Sequence, residues 1–315
     1  MIKSRRIILG LAALALATLP AGAQDDAKVF YAWAPKPVPL TQWKAPNKPI
    51  WRLSEIMAAH KGRADWVQPI VRDQDYAADY ISMGPGQKTR PQLWADDPVF
   101  WYIASGQVRF HIEGQEPFVA SKGFLVQVPF RNVYWMETVG DEPSVRFEVA
   151  HAGRTPLYPA ARGDTGPAPK AKGKTYVMSS YRTPPAPYTD KLRPYLDFWG
   201  DFVKRPAVRG NTRFVTDDDN FMNVIRGKGM PTPPDSNKGH FHIDYNEFWV
   251  IAEGTIDYKM EGMQVYTADV GDVVYAPQGR WHRASWAGND LSTRIAINPR
   301  REGLHSYDPE SGASQ

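Results

Sequence analysis

Apolar residues in this chain gather in short runs rather than at helical spacing. The runs FWYIASG (Phe100–Gly106) and FWVIAEG (Phe248–Gly254) set the pattern: segments rich in Val, Ile, Phe, Tyr and Trp, cut by turn signals such as AEG, EGM and PQG. No apolar period near 3.6 runs through them, so they predict antiparallel β-structure closed into a barrel or jelly roll. The two runs agree at five of seven positions, and Gly254 lies 148 residues after Gly106. The same shift carries Glu113-Gly114 onto Glu261-Gly262, Gly123 onto Gly271 and Pro129 onto Pro277. One structural unit therefore occurs twice.

The rest of the chain is organised around these two copies. Residues 1–23 carry Lys3, Arg5 and Arg6, the apolar run IILGLAALALATLP and the small-residue site Ala21-Gly22-Ala23. That is the order of a cleaved export signal, and its apolar run is shorter than the roughly 20 residues of a spanning helix. SRRIIL at Ser4–Leu9 adds the look of a twin-arginine signal, of the kind that exports proteins already folded. Export to the periplasm or outside the cell follows. Residues 24–69 read as a Pro- and Trp-rich arm that packs on a barrel, with a short helix around Leu53–His60 and Ser54 near its start. The first barrel is expected over 70–151, a Pro/Gly/Ala/Lys linker over 152–174, a helical connector over 175–210 with a helix at Asp190–Val203, the second barrel over 211–300 and a tail over 301–315. Asp217–Asn220 lacks the alternating oxygen ligands and glycine of a calcium loop, so it reads as a solvated turn before the strand FMNVI.

Charge narrows the range of partners. Cleavage of the signal removes three of 38 basic residues and none of 34 acidic ones, leaving 35 against 34. Without a basic excess or stripe, nucleic acid is excluded as a natural partner. There is no cysteine, so an exported chain of this kind holds together through its core rather than through disulfides.

Four side chains of the second copy carry metal-binding chemistry. In GHFHIDYNEFWVIAEG, His240 and His242 are one residue apart and project to the same side of a strand. Glu247 opens the next strand, on one face with Trp249 and Ile251. Farther on, Gly271 starts an apolar strand, Pro277 and Gly279 shape a turn, and His282 opens the strand after it. Three imidazoles and one carboxylate can converge inside one barrel. Of seven histidines only His60, His111, His151 and His305 fall outside the set.

These residues resemble the two sequence motifs of the cupin superfamily, and the repeat makes the whole chain similar to a bicupin. The resemblance implies an all-β fold of two tandem cupin (jelly-roll) barrels with a few short flanking helices. It also implies that His240, His242, Glu247 and His282 hold one divalent metal ion. Pro234 stands where the first motif usually has glycine, and Trp286 where the second usually ends in asparagine; neither is a ligand. In the first copy the shift of 148 places Gln92, Trp94, Val99 and Tyr134 at the four ligand positions. That barrel is expected to be structural, filled by aromatic and aliphatic side chains, with dimer contacts or a wall of the binding site as its other roles.

Histidine and carboxylate ligands without thiolate suit Mn, Fe(II), Ni, Cu or Zn, and on a six-coordinate ion four ligands leave two positions open. A structural zinc site would be closed, so open positions point to catalysis on a small molecule. Folding around the metal before export favours Mn or Fe over the tighter-binding Cu. Trp249 and Trp286 lie at even strand spacing from ligands and are expected to line the pocket as substrate-binding residues. The resemblance then implies an oxidoreductase: a dioxygenase acting on an aromatic or enolic molecule, with Glu247 also serving as catalytic base. A Lewis-acid lyase, decarboxylase or isomerase and a non-enzymatic sugar- or small-molecule-binding cupin are the alternatives.

Overall fold

In the computed structural model the repeat reappears in the strand ladder. Phe100 pairs with Val149 and Trp101 with Glu148 in the first half; Phe248 pairs with Ile297 and Trp249 with Ala296 in the second. Each partner is shifted by the same 148 residues, and a bulge falls at matching places, Ile103/Ser105 and Ile251/Glu253. The structure describes residues 39–162, 175–180, 184–189, 192–203, 210–216, 220–229, 239–286 and 288–299. Residues 1–23, expected to be an export signal, Asp217–Asp219 of the expected acidic turn, Pro234, His305 and the expected tail lie outside them.

Each half is a barrel of two sheets. The first has six strands in the order Tyr195–Asp197, Phe124–Val128, Val99–Ser105, Ser144–His151, Tyr76–Met83 and Trp66–Arg72, facing a three-stranded sheet of Phe118–Ser121, Gln107–Ile112 and Tyr134–Val139. The second has Ile50–Trp51, Val273–Ala276, Glu247–Glu253, Ser292–Pro299, Asn220–Gly227 and Gly210–Thr216, facing Tyr266–Ala268, Ile256–Met260 and His282–Ser285. The fold is all-β, and among the described residues no helix is long and apolar enough to cross a membrane.

The unbroken apolar runs now have a cause. Strands Val99–Ser105 and Glu247–Glu253 are buried on both faces, which removes the polar alternation of a half-exposed strand. One face of each, Phe100, Tyr102 and Ala104 with Phe248, Val250 and Ala252, joins a core shared between the two large sheets. The other face fills the barrel, through Trp101 and Ile103 in the first and Trp249 and Ile251 in the second. Ring contacts seal the shared core, with Tyr76 and Phe248 centroids 5.6 Å apart.

The barrels also exchange edge strands. Ile50–Trp51, from the N-terminal arm, pairs with Val273 and Val274 of the second barrel. Tyr195–Asp197, from the connector, pairs with Phe124 to Val126 of the first. Each exchanged strand runs into a helical turn seated on a glycine. Leu53 of the helix Leu53–Ala59 sits where a side chain on Gly271 (φ +84°) would be, and Trp199 of the π-helical turn Phe198–Val203 does the same at Gly123 (φ +92°). The connector departs from the helix expected at Asp190–Val203, whose first two residues lie outside the described ones. A helix there would carry Pro194 in its interior, losing a donor and clashing with the preceding turn, whereas an extended Tyr195–Asp197 satisfies the free edge of Phe124–Val128. Within the expected linker, Leu157–Pro159 pairs in parallel with Val177–Ser179.

Candidate metal centre

The second barrel brings its four candidate ligands together by backbone pairing. His240 and His282 exchange both backbone hydrogen bonds across an isolated bridge, at 3.0 and 2.8 Å. Facing residues of such a pair put their side chains on one face of the sheet, and the two imidazole centroids are 4.5 Å apart. His242 follows on the same side, and the Gly279 N–H donates to its carbonyl at 2.6 Å, tying the turn before His282 to the first motif. Glu247 enters from the large sheet, paired with Ala276. One ligand atom from each of the four residues lies within 4.8 Å of the other three.

Glu247 is the hub. Its Oε2 is 2.9 Å from His242 Nε2, 3.4 Å from His282 Nε2 and 4.0 Å from His240 Nε2. Burial alone would raise its carboxyl pKa, but the imidazoles of His242 and His282 outweigh that and hold it well below the ordinary range. Burial lowers the pKa of His282, with Glu247 opposing. The His282 Nδ1–H is directed at the Arg280 carbonyl at 3.0 Å, which leaves the Nε2 lone pair turned to the cluster. That Nε2 is buried and makes no hydrogen bond. An orphaned, buried, electron-pair-bearing nitrogen beside an ionised carboxylate is what a divalent cation satisfies, so the donor set fits a transition metal of the Mn, Fe, Ni, Cu, Zn group.

Several supports were not legible as motifs. Tyr245, between His242 and Glu247 in the chain, stacks on His242 with centroids 4.1 Å apart. Asn298 Nδ2 donates to Glu247 Oε1 at 3.2 Å. Asn298 is 51 residues from Glu247 and meets it only through the pairing of their strands. The arm contributes from the far end of the chain: Trp43 stacks on the Arg280 guanidinium at 3.7 Å and Thr41 Oγ1 donates to the Gln278 carbonyl at 2.8 Å. The arm therefore braces the turn that carries His282.

Both candidate substrate residues are buried inside the second barrel. Trp249 packs edge-on against His282, centroids 5.1 Å apart, and next to Tyr258 at 5.4 Å. Trp286 shares that interior but lies over Gly227, whose missing side chain makes room for its ring, and beneath Arg294 at 5.6 Å. In the first barrel the matching site holds no ligand set. Gln92 and Tyr134 form the bridge that His240 and His282 form, and the Tyr134 hydroxyl accepts from Gln92 Nε2 at 2.7 Å and Trp94 Nε1 at 3.0 Å.

Comparison with known proteins agrees with this architecture. Residues 231–297 match the family model described as Cupin domain, and no curated protein matches the sequence. The chain is similar to a Cupin 2 conserved barrel domain protein from Leptotrichia buccalis, at 12% identity and TM-score 0.51, over 80% of this chain and 96% of that one. It is also similar to a salicylate 1,2-dioxygenase from Pseudaminobacter salicylatoxidans, at 12% identity and TM-score 0.56, over 79% and 82% of the two chains. The chain has the fold of a two-barrel cupin.

Proposed function

We propose that this two-barrel cupin is an exported metal-dependent dioxygenase acting on an aromatic or enolic small molecule. The observation that carries the reading is the cluster of half-buried His240 with buried His242, Glu247 and His282, in a barrel whose interior also holds Trp249, Tyr258 and Trp286. The four residues would hold one divalent ion, Mn or Fe by preference. When bound, such an ion offers open coordination positions and Lewis acidity to substrate and dioxygen. The chain's own residues supply the rest. The aromatic walls take up a planar ring and keep water out. Glu247 is the one carboxylate of the set, placed to take the proton of an incoming hydroxyl, while Asn298 steadies its other oxygen. Both atoms of dioxygen end in the product as a C–C bond is cleaved, so no external reductant is needed. The likeness to the salicylate dioxygenase bears on fold alone.

The test is oxygen uptake by the metal-loaded protein over a panel of phenols, enols and hydroxylated aromatic acids, repeated under argon. Uptake that depends on substrate and metal supports the reading. Product formed under argon would replace it with Lewis-acid lyase or isomerase chemistry, and binding without product with a non-enzymatic role.

A further inference from the structure

The last strands of the two barrels, Ser144–His151 and Ser292–Pro299, differ in one respect that bears on the ligand. Their odd-numbered apolar residues, Val145, Phe147 and Val149 in one and Ile295 and Ile297 in the other, enter the core between the large sheets. Arg146 and Arg294 therefore point into the barrel interiors, as Ala150 and Ala296 do. They occupy equivalent places, paired with Ile103 and Ile251. In both, Nε and Nη1 are buried and make no hydrogen bond.

The surroundings differ. In the first barrel the same-face neighbour two residues on is Glu148, which opposes the lowering of the Arg146 pKa by burial and also accepts from Trp101 Nε1 at 2.7 Å. That guanidinium has its counter-charge within the strand. In the second barrel the Glu148 position is Ala296. Phe110 is replaced by Tyr258 and Thr138 by Trp286, and the Tyr258 hydroxyl and Trp286 Nε1 are both buried without a hydrogen-bond partner. The carboxylate that ends the adjoining strand, Glu253, is held by Arg226 at 2.7 and 2.8 Å. Arg294 itself is only half-buried, but its Nε and Nη1, the Tyr258 hydroxyl and Trp286 Nε1 are buried and find no hydrogen-bond partner among the described residues, although buried polar groups are as a rule satisfied.

We propose that Arg294, with Tyr258 and Trp286, docks a carboxylate of the small molecule that the metal centre acts on. The inference rests on the reading above for calling that molecule a substrate. A planar carboxylate suits a planar guanidinium, and a carboxylate is what the first barrel sets beside the same arginine. The ligand's anionic end replaces the missing Glu148 equivalent, and its body lies along Trp249 and Tyr258 toward His282. Specificity follows from the same groups: a neutral ligand of the same shape leaves the guanidinium unpaired.

Benzoate and benzamide, alike in shape and different in charge, test this by calorimetric titration of the full metal-loaded chain. Benzoate is expected to bind about tenfold tighter or more. Arg294→Gln should erase that preference, and so should Ala296→Glu, which installs the first barrel's internal partner; metal content and thermal midpoint report whether each variant is folded. Equal affinity, no binding of either compound at millimolar concentration, or a benzoate preference that survives in both variants overturns the proposal. The titration involves no oxygen. An Arg294-dependent benzoate preference in a protein that consumes no oxygen with any aromatic acid leaves the docking site standing and removes the dioxygenase reading.

Discussion

The indole of Trp94 donates to the hydroxyl of Tyr134 at 3.0 Å, at the two positions of the first barrel that correspond to His242 and His282 of the second. A hydrogen-bonded aromatic pair thus occupies the place of two imidazoles, and the barrel interior around it is filled. The purified chain is accordingly expected to carry about one transition-metal ion. Elemental analysis checks this, and the His240→Ala, His242→Ala double variant should lose the ion. Two ions per chain, or undiminished metal in the double variant, would refute the assignment.

Glu247→Gln separates holding the metal from using it. Three neutral imidazoles remain in place, and the amide can still accept from Asn298, so the variant should keep most of its metal. It loses the charge and the proton acceptor, and turnover is expected to fall about 10²- to 10⁴-fold. Metal analysis alongside single-turnover rates decides it: normal turnover by a metal-loaded variant removes Glu247 from the chemistry.

Much of this site was legible in the sequence because its elements are short-range. His240 and His242 share a face through strand alternation, and the repeat of Phe100–Gly106 in Phe248–Gly254 announces two copies of one barrel. What the sequence does not display is pairing between distant segments. The attachment of Ile50–Trp51 to the second barrel and of Tyr195–Asp197 to the first depends on which sheet edge is free, and two- or three-residue strands carry too little pattern to reveal it. Asn298 and Arg294 were hidden for a related reason: each acts across a strand pair, and only the register of Glu247–Glu253 against Ser292–Pro299 brings them to the site.

Acid should release the metal before it unfolds the chain. In the metal-free protein His282 has a folded pKa below its unfolded value, so below about pH 6.5 the unfolded chain binds a proton that the folded one refuses. Glu247 is depressed as well, and its stabilising contribution, present above about pH 4.3, is lost as pH falls through the folded value. Both signs point the same way, toward lower stability in acid. Protons also compete with the metal for the same nitrogens. The gap in thermal midpoint between metal-loaded and metal-free protein is therefore expected to narrow as pH falls below about 6.5. Calorimetry from pH 8 down to 5 measures it, and a constant gap would show that imidazoles do not hold the ion.

Asn298 gives a sharper test of how the first barrel supports the second. Its side chain donates to Glu247 Oε1, and its backbone carbonyl accepts from the Tyr76 hydroxyl at 2.9 Å, across the core between the barrels. The same hydroxyl lies 3.1 Å from Asn220 Oδ1, which His151 Nε2 approaches at 2.8 Å. A line of polar contacts thus runs from the metal cluster to the wall of the other barrel. Groups that orient ligands typically cost about 10- to 100-fold in metal affinity or activity when removed, so Asn298→Ala should weaken metal binding by about that factor. Tyr76→Phe removes only the far anchor and should have a smaller effect of the same sign. Competition of each variant against a chelator measures the affinities, with circular dichroism to confirm that the sheets are intact. Wild-type affinity in Asn298→Ala would mean that Glu247 is positioned by the imidazoles alone and that the first barrel contributes packing but no orientation to the centre.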